Sequence, residues 1–334
     1  MSNLANKSLI SRPSTSALKI IFQLMVLFHH LYLCSTEFGR HVSAMAGPVA
    51  VGGFLILSGY GVGLSYKKSG EEYSLKLLKK RIPSTYLMLF ITDICYLALY
   101  FYMGGRFDNL FDLAVSVLYV PIFDGFVALS HYVYFLADLI IYYIMFLLFS
   151  HLFRKQKNGL IITAAAMCVV STIIIIALSI INIKTGSARY LRACLCFPLG
   201  LLISCFDQPL VKFFKKFKWL AVVILFSIGA VVYWLGANKS ANEYAVPALV
   251  GLAIVFAFSG CEFKSKIIDY FASLVLYVYL SHELFRELLI YEFPDMHQNV
   301  RAIIVVVLSL LIAILITTLI NFISKKSKKK EKNA

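Results

Sequence analysis

Residues 17–35 read ALKIIFQLMVLFHHLYLCS, and this stretch decides what kind of fold the chain adopts. It is close to the ~20 apolar residues that a helix needs to cross a bilayer. Three ionisable side chains interrupt it, namely Lys19, His29 and His30. Because an ionisable group in hydrocarbon costs about 2.5 kcal/mol or more, such groups usually face a protein interior or a wet cavity and serve a function. We therefore predict a membrane helix that carries part of a functional site.

Helical geometry divides these three side chains into two groups. Lys19 and His30 are separated by ten residues. On an α-helix they therefore differ by about 20° in direction and about 16 Å along the axis. His29 points about 100° away from His30. Lys19 and His30 are thus candidate functional residues on one face, and His29 is expected to play a different part.

The composition places the whole chain in the membrane class. Of its 334 residues, 60% are hydrophobic and only 15% are charged, and the mean hydropathy is +0.81. These values exclude an ordinary soluble domain. The net charge of +15 does not indicate nucleic acid, because the cations are spread over the loops between apolar stretches.

Ten apolar stretches are predicted to span the membrane, so the expected fold is an all-α, polytopic helix bundle. The predicted spans cover residues 17–35, 46–65, 83–103, 131–153, 159–183, 190–206, 219–236, 244–260, 267–290 and 302–323. Residues 110–129 are apolar but are interrupted by Asp112, Pro121 and Asp124. This interruption is typical of a re-entrant or surface segment, not of a span.

The basic residues predict the orientation of the bundle. Most of the 32 Lys and Arg residues fall on one alternating set of loops and in the tail, and such loops are usually cytoplasmic. Both termini are therefore expected in the cytoplasm, with a cytoplasmic segment at 1–16, a bundle at 17–323 and a basic tail at 324–334. The expected location is the cell (plasma) membrane, and the tail is expected to rest on anionic membrane lipid.

Cysteine spacing and nucleotide-binding patterns give no sign of a bound cofactor. The seven cysteines are scattered without a CxxC pair or a Cys/His cluster of metal spacing, so neither a disulfide framework nor a metal site is predicted. No GxGxxG or P-loop pattern occurs either. We expect no permanently bound cofactor.

Five short motifs, in order along the chain, resemble those of the acyltransferase 3 family of membrane proteins. Lys19 and His30 have the spacing of that family's Arg-x10-His, with Lys in place of Arg. The other four are residues 49–60 (VAVGGFLILSGY), 79–83 (KKRIP), 134–136 (YFL, where the family has WFL) and 276–282 (LYVYLSH). The resemblance implies a membrane O-acyltransferase that moves an acyl group, expected to be acetyl, from cytoplasmic acyl-CoA to a hydroxyl of a cell-surface polysaccharide or lipid-linked sugar.

The resemblance assigns the catalytic roles to the first helix. His30 would act as a general base or as a nucleophile, and Lys19 would hold a donor phosphate or carbonyl. Lys19 lacks the planar guanidinium of the family's arginine, which binds an anion with two hydrogen bonds. The structural alternatives are that His30 hydrogen-bonds a neighbouring carbonyl and that Lys19 extends its ammonium to the lipid surface.

The remaining candidates belong to the two mouths of the bundle. His282 lies at about the depth of His30, and Glu37, if the first helix continues so far, falls about 20° from the face of His30. These two, together with Ser58 and Tyr134, are assigned acceptor-side or supporting roles, although packing would explain each of them as well. The basic loop at 67–81 faces the expected cytoplasm, and clustered cations attract the phosphates of coenzyme A. The predicted donor-binding residues are Lys76, Lys79, Lys80 and Arg81.

A transporter or flippase of a glycan, or of its lipid-linked precursor, is the main alternative function. Bundles of this size with polar residues inside the membrane also serve transport. A requirement for acyl-CoA distinguishes the two functions. The sequence does not determine the acceptor, the acyl chain length or whether the chain forms a homo-oligomer.

Overall fold

The computed structural model describes residues 8–31, 36–106, 134–180, 193–235 and 239–333, and every regular element in these ranges is helical. The elements are α1 (Arg12–Leu31), α2 (Glu37–Lys76), a π-helical turn (Leu77–Arg81), α3 (Ile82–Tyr102), α4 (Tyr134–Leu152), α5 (Gly159–Ile180), α6 (Cys196–Cys205), α7 (Asp207–Leu235), α8 (Lys239–Ala257), α9 (Lys266–Glu292) and α10 (Gln298–Asn333). The all-α prediction is confirmed for the described residues. The predicted re-entrant segment at 110–129 lies outside them.

Within the described residues, five helical stretches are long and apolar enough to cross a membrane. They are Arg12–Leu31, Glu37–Tyr102, Phe135–Leu152, Asp207–Leu235 and Gln298–Phe322. The span predicted at 190–206 contains the ten-residue α6, which at 1.5 Å per residue extends only about 15 Å. α9 has the necessary length, but it carries charged side chains such as Glu283 and Arg286. The count of ten spans and the cytoplasmic termini stay predictions.

The first and last helices are longer than their predicted spans. α1 begins at Arg12, before residue 17. Ser11 caps it, because the Ser14 amide donates to Ser11 Oγ at 3.2 Å, and Pro13 suits the first turn of a helix. α10 continues through the lysine-rich tail to Asn333, which is consistent with the good helix propensity of lysine.

The basic stretch expected to be a loop at 67–81 is helical, so that prediction is wrong. α2 continues to Lys76 with one break at Gly70, whose φ of 53° and ψ of −127° favour glycine. Lys67 Nζ donates to Ser204 O at 3.0 Å, where a cation satisfies carbonyls at the end of α6. Good helix formers and this contact favour a helix where the gap between two predicted spans, 46–65 and 83–103, suggested a loop.

One compact unit combines residues 1–15 with Pro48–Glu262. In it, α2 and α6 approach closely through glycines: a Cβ added at Gly59 would collide with the Phe197 carbonyl, and one at Gly200 would collide with the Ile56 carbonyl. Small residues permit such contacts between membrane helices. Packing, the alternative considered for Ser58, is therefore observed at the next residue, Gly59.

The N-terminal segment is fixed to the same unit by a buried hydrogen-bond network. The Leu9 amide donates to Asp207 Oδ1 at 2.9 Å, and the Ile10 amide donates to the Tyr60 hydroxyl at 3.2 Å. Tyr60 in turn donates to Asp207 Oδ1 at 2.6 Å. Because one buried carboxylate serves two donors, the segment before α1 has a defined position.

The second compact unit combines Ser16–Gly47 with Phe263–Ala334. It contains most of α1, the first turns of α2, and the helices α9 and α10. Its apolar core includes Leu27, Leu274, Val278 and Val305. Polar contacts secure both ends of α1, since Ser16 donates to Asp269 at 2.7 Å and Gln298 donates to the Leu31 carbonyl at 3.2 Å. This packing places the second half of α1 against α9.

Candidate active site

His30 lies beside a buried carboxylate of α9. His30 Nδ1 is 2.6 Å from Glu283 Oε1, and the side chain of Glu283 has no exposed surface, whereas 22% of the His30 side chain is exposed. A carboxylate at one ring nitrogen orients the ring and selects the tautomer with its proton on that nitrogen. With the proton on Nδ1, the lone pair is on Nε2. The pair therefore has the arrangement of a general base and its orienting acid.

Arg286 holds the second oxygen of the same carboxylate. Arg286 Nε is 2.6 Å from Glu283 Oε2, and Arg286 NH2 is 2.7 Å from Glu287 Oε1. A buried charge is tolerated when it is paired and hydrogen-bonded. Arg286 lies one helical turn after Glu283 and therefore keeps this carboxylate ionised and in one position.

His282 completes the cluster from the neighbouring position on α9. Its ring centroid is 5.2 Å from that of His30, and the side chain has no exposed surface. Its Nδ1 lies 2.6 Å from the Tyr279 carbonyl, so Nδ1 is the donor and Nε2 carries the lone pair. Nε2 has no hydrogen-bond partner among the residues that the structure describes. A neutral, buried acceptor thus lies beside the candidate base.

His29 has a separate, structural position. Its Nδ1 is 2.7 Å from the Ser43 carbonyl of α2, and Ser43 Oγ donates back to the Phe28 carbonyl at 3.0 Å. A Cβ at Gly47 would lie 2.5 Å from His29 Cδ2, so only glycine leaves room for the ring. The expectation that His29 plays a different part from His30 agrees with this geometry.

Two imidazoles and a carboxylate are also a donor set for a metal ion. His30 Nδ1, His282 Nε2 and Glu283 Oε1 all lie within 4.8 Å of one another. Ligand atoms around a tetrahedral Zn²⁺ are about 3.3 Å apart, since each bond is about 2.0–2.1 Å. The 2.6 Å between His30 Nδ1 and Glu283 Oε1 is instead the separation of a close imidazole–carboxylate pair. The guanidinium of Arg286 on Glu283 further disfavours a dication, so the geometry favours proton transfer over metal binding.

Lys19 lies on α1 with His30, and a second polar residue lies between them. Lys19 is exposed, and helical geometry puts it about 16 Å along the axis from His30. Gln23 is 4% exposed, and neither of its amide atoms has a hydrogen-bond partner among the described residues. Lys19, Gln23 and His30 lie within about 40° of one another around the helix. They form a polar stripe along α1.

Glu37 does not share a helix with His30, so the predicted geometry for it is wrong. α1 ends at Leu31 among the described residues, and Glu37 is the first residue of α2 and is exposed. The carboxylate at the histidine is Glu283, from the other end of the chain. Thr36, directly before Glu37, is a bend, so Glu37 does not continue the helical register of His30.

The other predicted site residues lie in the unit formed by residues 1–15 and Pro48–Glu262. Ser58 is half-buried on α2, and Tyr134 is the first residue of α4. Lys76 ends α2, while Lys79, Lys80 and Arg81 belong to the π-helical turn, and all four are exposed.

Arg81 also makes local contacts in that unit. Its NH1 donates to the Tyr73 hydroxyl at 3.3 Å, and its guanidinium lies 5.3 Å from the centre of the Tyr143 ring. Cation–π contacts of this kind stabilise a guanidinium at a fixed place. Among the four predicted donor-binding cations, Arg81 is therefore held by two aromatic side chains.

Sequence reasoning missed Glu283, Arg286 and Gln23. The first two follow His282 inside the predicted span at 267–290, as the i and i+3 members of a helical ion pair. Charged residues inside a predicted span are a signal of function, and this signal would have identified them. Gln23 lies on α1 between Lys19 and His30, the two candidate residues of that helix.

Taken together, the described helices and this cluster define a helical membrane protein with a histidine–carboxylate pair between apolar helices. Comparison with protein families matched residues 14–321 to the acyltransferase 3 family, described as an acyltransferase domain. The chain belongs to that family, which confirms the resemblance seen in its motifs. Comparisons with curated proteins and with solved structures found no match. Family membership assigns the chain to the membrane acyltransferases.

Proposed function

We propose that this protein is a membrane O-acyltransferase that transfers an acetyl group from acetyl-CoA to a hydroxyl of a cell-surface polysaccharide or lipid-linked sugar. The observation that carries the proposal is the 2.6 Å contact between His30 Nδ1 and the buried carboxylate of Glu283. Acyl transfer to a hydroxyl needs a base of this kind. Family membership supports the same reaction class.

The proposed reaction is a single displacement at the thioester carbonyl. His30 Nε2 takes the proton of the acceptor hydroxyl while the hydroxyl oxygen forms a bond to the carbonyl carbon. The carbon–sulfur bond then breaks, and the coenzyme A thiolate leaves with the proton that His30 accepted. Glu283 stabilises the imidazolium that exists between these two proton transfers.

The polar stripe of α1 supports a role in holding the donor. Lys19 supplies a cation that pairs with a phosphate of coenzyme A or with the thioester carbonyl. The buried amide of Gln23 has one acceptor and two donor positions, which match the amide groups of the pantetheine arm. The exposed cations Lys76, Lys79, Lys80 and Arg81 would raise the local concentration of the anionic donor.

His282 is proposed to position the acceptor. Its Nε2 is a buried hydrogen-bond acceptor beside His30, and an acceptor hydroxyl or a bridging water would satisfy it. The proposed location is the plasma membrane, with acyl-CoA on the cytoplasmic side and the glycan acceptor on the other.

The test uses the purified full-length protein in liposomes with labelled acetyl-CoA, and it measures the acetyl content of a polysaccharide or lipid-linked sugar acceptor. A His30→Ala variant is expected to lose about 10²- to 10⁴-fold in rate, the usual contribution of a general base. The matched control is His297→Ala, because His297 is an exposed histidine that contacts the Asn299 amide. Its rate should stay within about twofold of the wild type.

Three results would change the proposal. Unaltered acetyl transfer by His30→Ala at equal protein level would exclude His30 as the general base. Acetyl-CoA given without an acceptor should leave the protein unlabelled, and acetyl-histidine at position 30 would instead make His30 the nucleophile. Transport without consumption of acetyl-CoA would refute the transferase.

A further inference from the structure

A cavity of about 560 Å³ lies where the N-terminal segment meets α7 and the turn after α8. All of its lining residues belong to the unit formed by residues 1–15 and Pro48–Glu262. Its size is typical of a small-ligand site. The residues that matter to its chemistry are Arg12, Lys215, Lys218, Ser259 and Glu262.

The polar lining favours an anion. Three cations, Arg12, Lys215 and Lys218, face one carboxylate, Glu262. Lys218 Nζ donates to the Ser259 carbonyl at 3.2 Å, which fixes its ammonium at the cavity wall. Clustered guanidinium and ammonium groups are the usual means of binding phosphate in proteins.

Ser259 provides an independent sign of a ligand. Its side chain is 3% exposed, and its hydroxyl has no hydrogen-bond partner among the residues that the structure describes. A buried hydroxyl without a partner loses the hydrogen bonds that it made with water. A ligand oxygen in the cavity would restore one of them.

The walls of the cavity are fixed before any ligand arrives. Gly260, at a φ of 71°, donates its amide to the Leu9 carbonyl at 3.2 Å. Ser11 Oγ donates to the Cys261 carbonyl at 3.3 Å, and Ser14 Oγ donates to the same carbonyl. These bonds join segments about 250 residues apart, so the binding groups are already ordered and binding costs less entropy.

The apolar surface beside the cavity favours a lipid over a soluble anion as its ligand. On α7, directly after the cavity residue Lys218, the large apolar side chains Trp219, Leu220 and Val223 are 65%, 57% and 60% exposed. Exposed apolar side chains on a membrane helix face lipid, and tryptophan is enriched at the level of the headgroups. The cations of the cavity therefore lie next to the boundary where lipid phosphates are found.

We propose that this cavity binds the phosphate of an anionic phospholipid headgroup. Arg12 and Lys215 neutralise the phosphate, the Ser259 hydroxyl donates to one of its oxygens, and the acyl chains lie along the exposed apolar side chains of α7. Basic pockets between membrane helices are known to bind such headgroups. The phosphates of coenzyme A share this chemistry, so the test separates the two sources. The inference does not depend on the proposed acyl transfer.

The test is native mass spectrometry of the purified full-length protein with dioctanoyl phosphatidylglycerol, dioctanoyl phosphatidylcholine or coenzyme A. The anionic lipid should bind, and the zwitterionic lipid should bind at least about tenfold more weakly. At ~1 kcal/mol per cation, Lys215→Gln should weaken phosphatidylglycerol binding about fivefold. Arg12→Gln combined with Lys215→Gln should weaken it about 25-fold if the two contributions add.

Two controls keep the result independent of misfolding. Lys212→Gln removes an exposed lysine from the same end of α7 that does not line the cavity, and binding should change less than about twofold. Ser259→Ala should leave the melting temperature without lipid unchanged or higher, yet weaken lipid binding. Equal binding of both lipids, or an equal loss in Lys212→Gln, would overturn the proposal. If coenzyme A displaced phosphatidylglycerol and Lys215→Gln weakened the binding of both equally, the phosphate bound in the cavity would be that of coenzyme A and not that of a lipid.

Discussion

Replacing Glu283 by glutamine tests whether its charge activates His30. The substitution keeps the shape of the side chain but removes the negative charge, which has no exposed surface and lies 2.6 Å from His30 Nδ1. For two charges about 4 Å apart at an effective dielectric of about 20, a carboxylate stabilises the positive charge that develops on the imidazole during proton transfer by about 4 kcal/mol. This energy corresponds to about 10³-fold in rate.

Arg286 reduces this magnitude because its guanidinium lies on the second oxygen of Glu283 and repels the imidazolium. We therefore expect Glu283→Gln to lower kcat between about 10²- and 10³-fold, measured as initial rates of acetyl transfer from labelled acetyl-CoA by proteoliposomes. The matched control is Glu287→Gln, which removes the second carboxylate partner of Arg286 without a change at His30. Its rate should fall less than about threefold.

If Glu283→Gln retains kcat within about threefold of the wild type at equal protein level, the charge of Glu283 does not activate His30. If Glu287→Gln loses as much activity as Glu283→Gln, the ion pair of Arg286 matters more than the contact between Glu283 and His30. Circular dichroism of each variant in detergent establishes that the helical content is unchanged. A loss of helix would require the comparison to be repeated with Glu283→Asp, which keeps the charge.

Three further predictions concern the rest of the molecule. Lys19→Arg should keep the acetyl-transfer rate and Lys19→Met should lower it at least about tenfold, and equal rates in the two variants would exclude a role for the charge. Gly47→Ala should destabilise the protein by roughly 1–3 kcal/mol, since its Cβ would collide with the His29 ring. Gly61→Ala, with open space around its Cβ, should instead stabilise it by up to about 1 kcal/mol. Thermal unfolding in detergent compares the stability of the two variants. A loss of stability in both would mean that the helix needs the flexibility of glycine, not the space beside His29. Treatment with a chelator should leave acetyl transfer unchanged, whereas a loss restored by Zn²⁺ would assign the cluster of His30, His282 and Glu283 to a metal.

Much of the fold follows from local sequence patterns. Apolar stretches predicted helices where the described residues are helical, because hydropathy and helical geometry are properties of neighbouring residues. Five described stretches are long and apolar enough to cross a membrane, so the count of ten spans stays a prediction. Element boundaries were less accurate. α1 begins at Arg12 because of a cap at Ser11, and the stretch expected as a basic loop is helical with a break at Gly70. Charge patterns predict which side of a membrane a segment faces, not whether it is helical.

The sequence by itself determined the membrane class, the family and two candidate residues of one helix, Lys19 and His30. Only the tertiary structure placed Glu283 at His30 and Ser259 in a cavity with Arg12, since these residues are separated by about 250 positions along the chain. Such contacts depend on how helices pack after the chain closes its long loops, and helical periodicity within one segment contains no information about a distant partner. The first helix therefore supplied the candidate base, and its packing against α9 decided which carboxylate lies beside it.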